Sequence, residues 1–245
     1  MKKIFIISGI IATSLVSCDV LNDAANVILT DDGSTSTPAL TNSEVISGLK
    51  EALSVGIINS VNLTSVTDGF LGNTEIRLPF PPDAIKLREK AIDWGLQGQV
   101  DKIETTLNRA AEEATKEATP IFINAITNMS VSDGFAILKG GNGAATKFLK
   151  DNTSAQLMTA FVPKVQEAIE KVKLTEYWNQ VAAKYNTAMT VTGGQKVETD
   201  LNAFVTQRAI DGLFTMVGKE ENKIRLDPAA RVTDLLAKVF GSVKP

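Results

Sequence analysis

Apolar residues recur at helical spacing along almost the whole of this 245-residue chain from residue 41 onward. Apolar side chains three and four positions apart lie on one face of an α-helix, so each segment can bury that face against a neighbour. The clearest stripe has these members: Val100, Ile103, Leu107, Ala110, Ala111 and Ala114. Residues 74–80 come nearest to the alternation of a strand, but they are predicted to form an extended loop. The sequence therefore predicts an all-α fold, a single bundle-like domain of many helices over residues 42–245.

Capping signals and helix breakers divide this domain into separate helices. Residues 41–44 (TNSE) and 153–156 (TSAQ) each place a hydroxyl three positions before a carboxyl or amide, so each predicts a helix start. Residues 130–133 predict the start of a shorter helix. Residues 201–217 are apolar on more than one side, which predicts the central buried helix. A last helix is predicted to begin at residues 227–228, where aspartate precedes proline.

The first 17 residues have the three-part layout of a secretory signal. Lys2 and Lys3 provide a positive start, residues 4–16 form an apolar run, and small residues follow. The run has 13 residues, whereas a membrane-spanning helix needs about 20 apolar residues. The sequence therefore predicts that residues 1–17 are a signal peptide.

The only cysteine, Cys18, lies directly behind this run in the stretch LVSC, which resembles the signal box of bacterial lipoproteins. The resemblance implies cleavage before Cys18 and attachment of lipid to its sulfur and amino group. Burial of the acyl chains would anchor the protein to a membrane. Residues 18–41 are predicted to be the lipidated cysteine and a flexible tether, since residues 30–38 are polar and rich in turn formers. The expected location is the cell envelope; which of its membranes is left open.

Two properties of the composition restrict the chemistry. The chain has no histidine and one cysteine, which excludes a Ser-His-Asp triad, a Cys–His nucleophile and a histidine-containing metal centre. The formal net charge is −3, and no basic stretch suggests binding to nucleic acid. The sequence therefore predicts no catalytic, cofactor-binding or metal-binding residue and no nucleic-acid partner.

A glycine-rich stretch at residues 140–147, GGNGAATK, has two interpretations. It contains a threonine and a lysine, as phosphate-binding loops do, but it lacks their Gly-Lys pair and a preceding strand. Glycines also end helices in left-handed turns, so the stretch fits a joint in which Gly140 or Gly141 ends one helix and Gly143 precedes the next. An anion bound at the start of the second helix is the alternative.

Three further clusters have both a chemical and a structural interpretation. Residues 47–50 match the S-x-x-K pattern of penicillin-recognising enzymes, but about one such match is expected by chance in this composition. Glu112, Glu113 and Glu117 could hold a cation, although their spacing favours a solvated helix face. Glu221 and Arg225 have the spacing of an ion pair at the surface or end of a helix.

Several phrases taken together resemble a known family. They are DGFLGN (68–73) with IRLPFP (76–81), LNRAAEEA (107–114), AITNMSVSDGFAILKGGNGAATKFLK (125–150), VTQRAIDGLF (205–214) and EENKIRLDPAARVTDLLAKVF (220–240). In this order and spacing they resemble the bacterial domain-of-unknown-function family 4197 over residues 43–240. The resemblance implies a small envelope protein, usually with a secretion or lipoprotein signal. It implies no activity, substrate or catalytic residue.

Two functions are compatible with the sequence. The favoured one is a lipid-anchored helical module that binds an envelope protein or lipid or supports an assembly. The alternative is an envelope enzyme that uses carboxylates, a lysine or a serine without histidine. Such an enzyme would need polar side chains that converge in one pocket. The candidates are the polar residues within the family phrases: Asp68, Arg77, Asn108, Arg109, Asp133, Asp211 and Arg225.

Overall fold

The computed structural model describes residues 41–227, Arg231, Thr233 and Val239. The predicted signal peptide, Cys18, nearly all of the predicted tether and most of the predicted last helix lie outside these residues. Within residues 41–227 the chain forms eight α-helices and no strand, so the predicted all-α fold is confirmed. The helices are α1 (Asn42–Thr64), α2 (Ile85–Asp93), α3 (Gln97–Thr115), α4 (Ala118–Thr127), α5 (Val131–Lys139), α6 (Ala144–Lys171), α7 (Leu174–Thr192) and α8 (Leu201–Leu226), with a short 3₁₀-helix (Pro82–Ala84) before α2.

Two of the predicted helix starts have the expected capping geometry. At α1, the backbone N–H of Glu44 donates to the Thr41 hydroxyl at 3.2 Å, and the Thr41 N–H donates to the Glu44 carboxylate at 2.8 Å. At α5, Ser130 and Asp133 make the same reciprocal bonds at 3.2 and 3.1 Å. Each box satisfies backbone donors that the start of a helix would otherwise leave unpaired.

The predicted helix start at residues 153–156 is wrong, because α6 runs unbroken from Ala144 to Lys171. Thr153 is fully buried inside this helix, and its hydroxyl donates to the Leu149 carbonyl at 2.7 Å. Leu149 and Leu157 lie one turn before and one turn after Thr153 on the same buried face. Burial of this continuous face outweighs the local preference of threonine for a capping position.

The helix predicted to be central, α8, packs against α1, α3 and α6. It extends from Leu201 to Leu226, beyond the predicted end at residue 217. Its buried residues include Val205, Ala209, Ile210, Leu213, Phe214, Met216 and Val217, which surround much of the helix axis. The Phe214 ring meets the Phe122 ring of α4 edge to face, with centroids 5.6 Å apart, a favoured aromatic geometry. The prediction of a central helix is thus confirmed.

The long connection between α1 and the 3₁₀-helix, residues 65–81, is an irregular segment with a buried side. Phe70 is completely buried, and so is nearly all of Leu78. Residues 74–80 form no strand, as predicted, and their side chains alternate between exposed and buried from Ile76 onward. The connection therefore contributes apolar side chains to the core although its backbone has no regular secondary structure.

We expect Gly69→Ala to destabilise the domain by about 1–3 kcal/mol through overpacking. A Cβ atom at Gly69 would lie 2.5 Å from the Leu63 carbonyl oxygen and 2.7 Å from that of Thr64, and main-chain atoms cannot easily move aside. The matched control is Gly98→Ala in α3, where no atom beyond the neighbouring residues and the local helix backbone lies within 4 Å of the new Cβ. We expect this control to gain up to about 1 kcal/mol, because alanine favours the helix. Urea unfolding measures both, and effects of the same sign would contradict the expectation.

Candidate functional site

A groove of about 450 Å³ separates α5 from the first turns of α6. It is lined by Asp133, Ala136, Ile137, Gly140, Asn142, Gly143, Ala144, Lys147, Phe148 and Asp151. Both helices therefore contribute apolar and charged side chains, and the joint between them completes the lining. The volume lies in the range of small-molecule sites, about 300–1,000 Å³. All of these residues except Asp151 belong to the longest family phrase, residues 125–150.

Glycines shape the joint between α5 and α6. Gly141 and Gly143 have φ angles of +71° and +82°, in the left-handed region that favours glycine. A Cβ atom at Gly140, the C-cap residue of α5, would lie 2.7 Å from the Ala144 side chain and 2.8 Å from the Ala136 carbonyl oxygen. The interpretation of the glycine-rich stretch as a helix joint is therefore confirmed.

The start of α6 is occupied by a carboxylate from the chain itself. Glu221 of α8 accepts hydrogen bonds from the backbone N–H of Ala145 at 3.0 Å and of Thr146 at 2.9 Å. The Thr146 hydroxyl donates to the same carboxylate at 2.7 Å. A negative charge is stabilised here by the helix dipole and the free N–H groups. Glu221 thus takes the place that the sequence left open for an external anion.

Arg225 joins Glu221 to the end of α5. Its guanidinium donates to Glu221 Oε1 through Nε at 3.0 Å, and its Nη2 donates to the Ile137 carbonyl at 2.9 Å. The two charged side chains are only 11 % and 5 % exposed. The predicted ion pair is present and lies at the end of α8, as one of its two interpretations had it. The other interpretation, a surface pair, is wrong, because the pair is buried and connects α8 to both helices of the groove. Helical spacing predicted the pair but not the elements that cover it.

A small cavity of about 30 Å³ lies beside this ion pair, between α1, α6 and α8. Its lining is aliphatic except for Glu221 and Arg225. A cavity of this size holds about one water molecule. It is too small to serve as a ligand site, so the groove is the better candidate.

Asp133 belongs both to the groove lining and to the capping box of α5. The Ser130 hydroxyl donates to its carboxylate at 2.6 Å, and the Ser130 N–H donates at 3.1 Å. These bonds, the hydroxyl first, lower the pKa of Asp133 below its ordinary value. The stability that the ionised carboxylate contributes is therefore present above the unfolded-state pKa. It is lost as the pH falls through the lower folded-state pKa.

We expect Ser130→Ala to raise the pKa of Asp133 toward its ordinary value, because the strongest hydrogen bond to the carboxylate is removed. An NMR titration of the Asp133 carboxyl measures the change. The control is Ser132→Ala, since the Ser132 hydroxyl contacts the Ser130 hydroxyl at 2.9 Å and not Asp133. A pKa of Asp133 that moves equally in both variants would contradict the assignment.

A second buried carboxylate, Glu112 of α3, stabilises the loop that follows α1. The backbone N–H groups of Phe70 and Leu71 donate to Glu112 Oε1 at 3.1 and 3.3 Å. Arg109 donates to Glu112 Oε2 at 2.7 Å and to Asp68 Oδ1 at 2.7 Å. These contacts, the hydrogen bond to Glu112 first, raise the pKa of Arg109 above its ordinary value. Glu112 thus holds the loop as Glu221 holds the joint.

The predicted solvated face of three glutamates is wrong for Glu112, whose side chain is 5 % exposed. It holds for Glu113 and Glu117, whose side chains are 35 % and 46 % exposed and pair with surface lysines. The sequence does carry a signal for Glu112: Asn108, Glu112 and Thr115 recur at helical spacing, and all three are buried. In the structure, Asn108 and Glu112 of this polar line both bind the irregular loop at residues 65–81.

The side chains of Asn108 and Arg77 also form polar contacts between α3 and the loop at residues 65–81. The Asn108 side chain accepts from the Leu78 N–H at 2.8 Å and donates to the Leu78 carbonyl at 3.1 Å, as a neighbouring strand would. Arg77 lies 3.6 Å from the carboxylate of Glu104, which also binds Arg88 at 2.7 Å. Both residues therefore stabilise the extended loop.

The seven candidate polar residues do not converge in one pocket within residues 41–227. Asp68 and Arg109 meet beside α3, Asp133 lines the groove, and Arg225 lies behind the joint. The Asp211 carboxylate accepts a hydrogen bond at 3.0 Å from the side chain of Gln207, one turn earlier on α8. Each has a partner that stabilises its own part of the fold.

Within residues 41–227, the remaining motifs form neither a catalytic cluster nor a metal site. Lys50 of the S-x-x-K match donates to the Thr127 carbonyl of α4 at 2.8 Å. Over the described part of the chain, no group of three or more acidic or cysteine side chains is placed to hold a metal ion.

Among the described helices, no single one is long and apolar enough to cross a membrane. One sharply bent combination, Gln97–Thr127 with Val131–Lys139, meets the criteria of length and composition only when taken together.

A family model described as "Protein of unknown function (DUF4197)" matches residues 39–241. The chain belongs to the DUF4197 family. This confirms the resemblance seen in the sequence phrases, and the match includes the groove, the joint and both buried carboxylates, Glu112 and Glu221. No curated protein and no solved structure matches the chain. The DUF4197 match begins two residues before Thr41, the N-cap of α1.

Proposed function

We propose that this DUF4197 protein is a lipid-anchored helical module of the cell envelope. In this proposal it binds a partner of the same compartment, a protein or a lipid, through the α5–α6 groove. Cys18 carries the lipid, which binds the membrane. Residues 18–41 tether the helical domain to this anchor. Nucleic acid is not among the expected partners, since the chain has a formal net charge of −3.

The proposed anchor is supported by the position of Cys18. It is the only cysteine of the chain and follows the apolar run directly, in the stretch LVSC. Each acyl CH₂ group buried in a bilayer contributes about 0.8 kcal/mol, so a diacyl group would hold the domain at the membrane.

The proposed binding role is carried by one observation: the buried carboxylates of the family phrases and their arginines hold the fold together. Glu112 with Arg109 and Glu221 with Arg225 accept or donate several internal hydrogen bonds each. A histidine-free enzyme would need some of these groups to converge on a substrate instead. The groove is much larger than the cavity beside the buried ion pair, and its mixed lining suits recognition of a partner.

The anchor is tested by the intact mass of the full chain extracted from the membrane of a bacterial host. The wild type is expected to begin at Cys18 and to carry a diacylglyceryl adduct. Cys18→Ser is expected to lose the adduct and the membrane association, while Ser17→Ala keeps both. A membrane-extracted wild type without lipid on Cys18 would refute the anchor.

The groove is tested separately by native mass spectrometry of the extracted protein with its bound partner. Ala136→Arg places a large side chain in the groove, whereas Ala183→Arg adds the same charge to an exposed position of α7. We expect the co-purifying mass to disappear in the first variant and to stay in the second. A partner that both variants retain binds elsewhere, and a wild type without any bound mass contradicts the binding role.

A further inference from the structure

We propose that Asn142 is a site of covalent modification, at which the chain deamidates without an enzyme to aspartate and isoaspartate. Asparagine is among the thermolabile residues. Glycine after it leaves the reaction least hindered, because no side chain blocks the attacking main-chain nitrogen. Residues 142–143 are the one Asn-Gly pair in the whole sequence. They lie in the joint that lines the groove.

The reaction requires only hydroxide and water. The main-chain nitrogen of Gly143 loses its proton to hydroxide and attacks Cγ of the Asn142 amide. The new N–Cγ bond closes a succinimide ring, the Cγ–Nδ2 bond breaks, and the amide nitrogen leaves as ammonia after taking up a proton. Water then adds to either ring carbonyl, and the bond from that carbonyl carbon to the ring nitrogen breaks. The products are aspartate or isoaspartate at position 142.

The structure leaves both reacting groups accessible. Asn142 is exposed, and its side chain makes no hydrogen bond to another described residue. The Gly143 N–H also has no acceptor among the described residues. The first backbone N–H of the joint that donates a hydrogen bond is that of Ala144, which donates to the Gly141 carbonyl. Gly143 precedes the first residue of α6, so no helical hydrogen bond holds its nitrogen.

The Asp-Gly pairs within residues 41–227 provide a contrast. The Gly69 N–H donates to the Val66 carbonyl at 3.0 Å, and the Gly134 N–H donates to the Ser130 carbonyl at 3.1 Å. Gly212 lies inside α8. A nitrogen held in such a bond is less free to lose its proton and to reach the preceding side chain. Among the glycines of these pairs and Gly143, only Gly143 has a main-chain nitrogen that no such bond holds.

Deamidation would change the charge of the groove. Its lining has two carboxylates, Asp133 and Asp151, and one ammonium group, Lys147. The product adds a third carboxylate, and the isoaspartate form also inserts a methylene group into the main chain directly before Gly143. Any effect on partner binding rests on the proposed function, whereas the reaction itself does not.

Peptide mapping of the purified full chain tests the proposal. Folded protein and protein unfolded in urea are incubated side by side at mildly alkaline pH until half of the unfolded chain has reacted at Asn142. Trypsin cleaves after Lys139 and Lys147, so residues 140–147 are released as one peptide with a single asparagine. We expect this peptide from the folded protein to gain about one mass unit, as two isomers, at least half as fast as in the unfolded chain. Asn142→Gln, which disfavours ring closure, should lack the product.

The result that would overturn the proposal is equally specific. If Asn142 stays intact in the folded protein while the unfolded chain reacts, the joint protects it. If another asparagine of the folded protein, such as Asn128, reacts faster, the accessible Gly143 nitrogen does not determine the site. Ion exchange gives a further check. If Asn142→Gln still forms a more acidic species during incubation, deamidation occurs at another residue and the proposal is overturned.

Discussion

Glu221→Ala is expected to lower the free energy of unfolding by about 3–5 kcal/mol, the cost of removing one partner of a buried ion pair. The carboxylate accepts from the N–H groups of Ala145 and Thr146 and from Arg225. Its loss leaves two backbone donors and a guanidinium without their partner in the interior. Urea unfolding measures the total effect. Hydrogen exchange at residues 144–147 should show the largest local increase.

Two controls separate this effect from a general loss of charge. Glu176→Ala removes one partner of an exposed pair with Lys173, for which less than about 1 kcal/mol is expected. The double variant Glu221→Ala with Arg225→Ala removes the unpaired guanidinium as well, so it should lose less stability than the two single changes added together. A loss at Glu221 no larger than at Glu176 would contradict the structural role of the buried pair.

Glu112→Ala is expected to lower the free energy of unfolding by about 2–6 kcal/mol, about 1–3 kcal/mol for each of two backbone donors left without an acceptor. Two backbone N–H groups of the loop, at Phe70 and Leu71, lose their acceptor, and Arg109 keeps only its contact with Asp68. Phe70 is completely buried, so a loosened loop also exposes part of the apolar core. Denaturant unfolding gives the total loss, and hydrogen exchange at residues 69–71 gives its location.

The neighbouring residue supplies the matched control for this change. Glu113 lies on the same helix, but its side chain is 35 % exposed and pairs with Lys116 and Lys171. The hydrogen bond from Lys116 is the main reason why the pKa of Glu113 is lowered. We expect Glu113→Ala to cost less than about 1 kcal/mol, as exposed pairs do. If Glu112→Ala and Glu113→Ala lowered the free energy of unfolding equally, burial would not be what makes Glu112 important for stability.

The two buried glutamates use the same arrangement in different places. Each has an arginine on its own helix within one turn, and each accepts two consecutive backbone N–H groups from a segment far away in sequence. The arginine neutralises the buried carboxylate, and the N–H groups use its remaining lone pairs. The free backbone donors of the loop and of the first turn of α6 thereby find acceptors within the chain itself.

Local sequence signals predicted the parts of this protein that depend on neighbours in the chain. The capping boxes at Thr41 and Ser130 place donor and acceptor three residues apart, so their geometry follows as soon as the helix forms. Left-handed φ angles at Gly141 and Gly143 follow from glycine itself. The apolar stripes likewise predicted an all-α fold with α8 at its centre. For Cys18, the sequence is the source of the proposed anchor.

Tertiary structure decided what becomes of polar residues within those helices. Thr153 has the local signature of a cap, yet the buried face shared by Leu149 and Leu157 keeps it inside α6. Glu112 and Glu221 look like surface residues at helical spacing, and only the packing of a loop and a joint against them makes them buried acceptors. Helical periodicity states which side chains share a face but not which element covers that face. Desolvation and pairing of a charge depend on that covering element, so the sequence alone could not determine the role of either carboxylate.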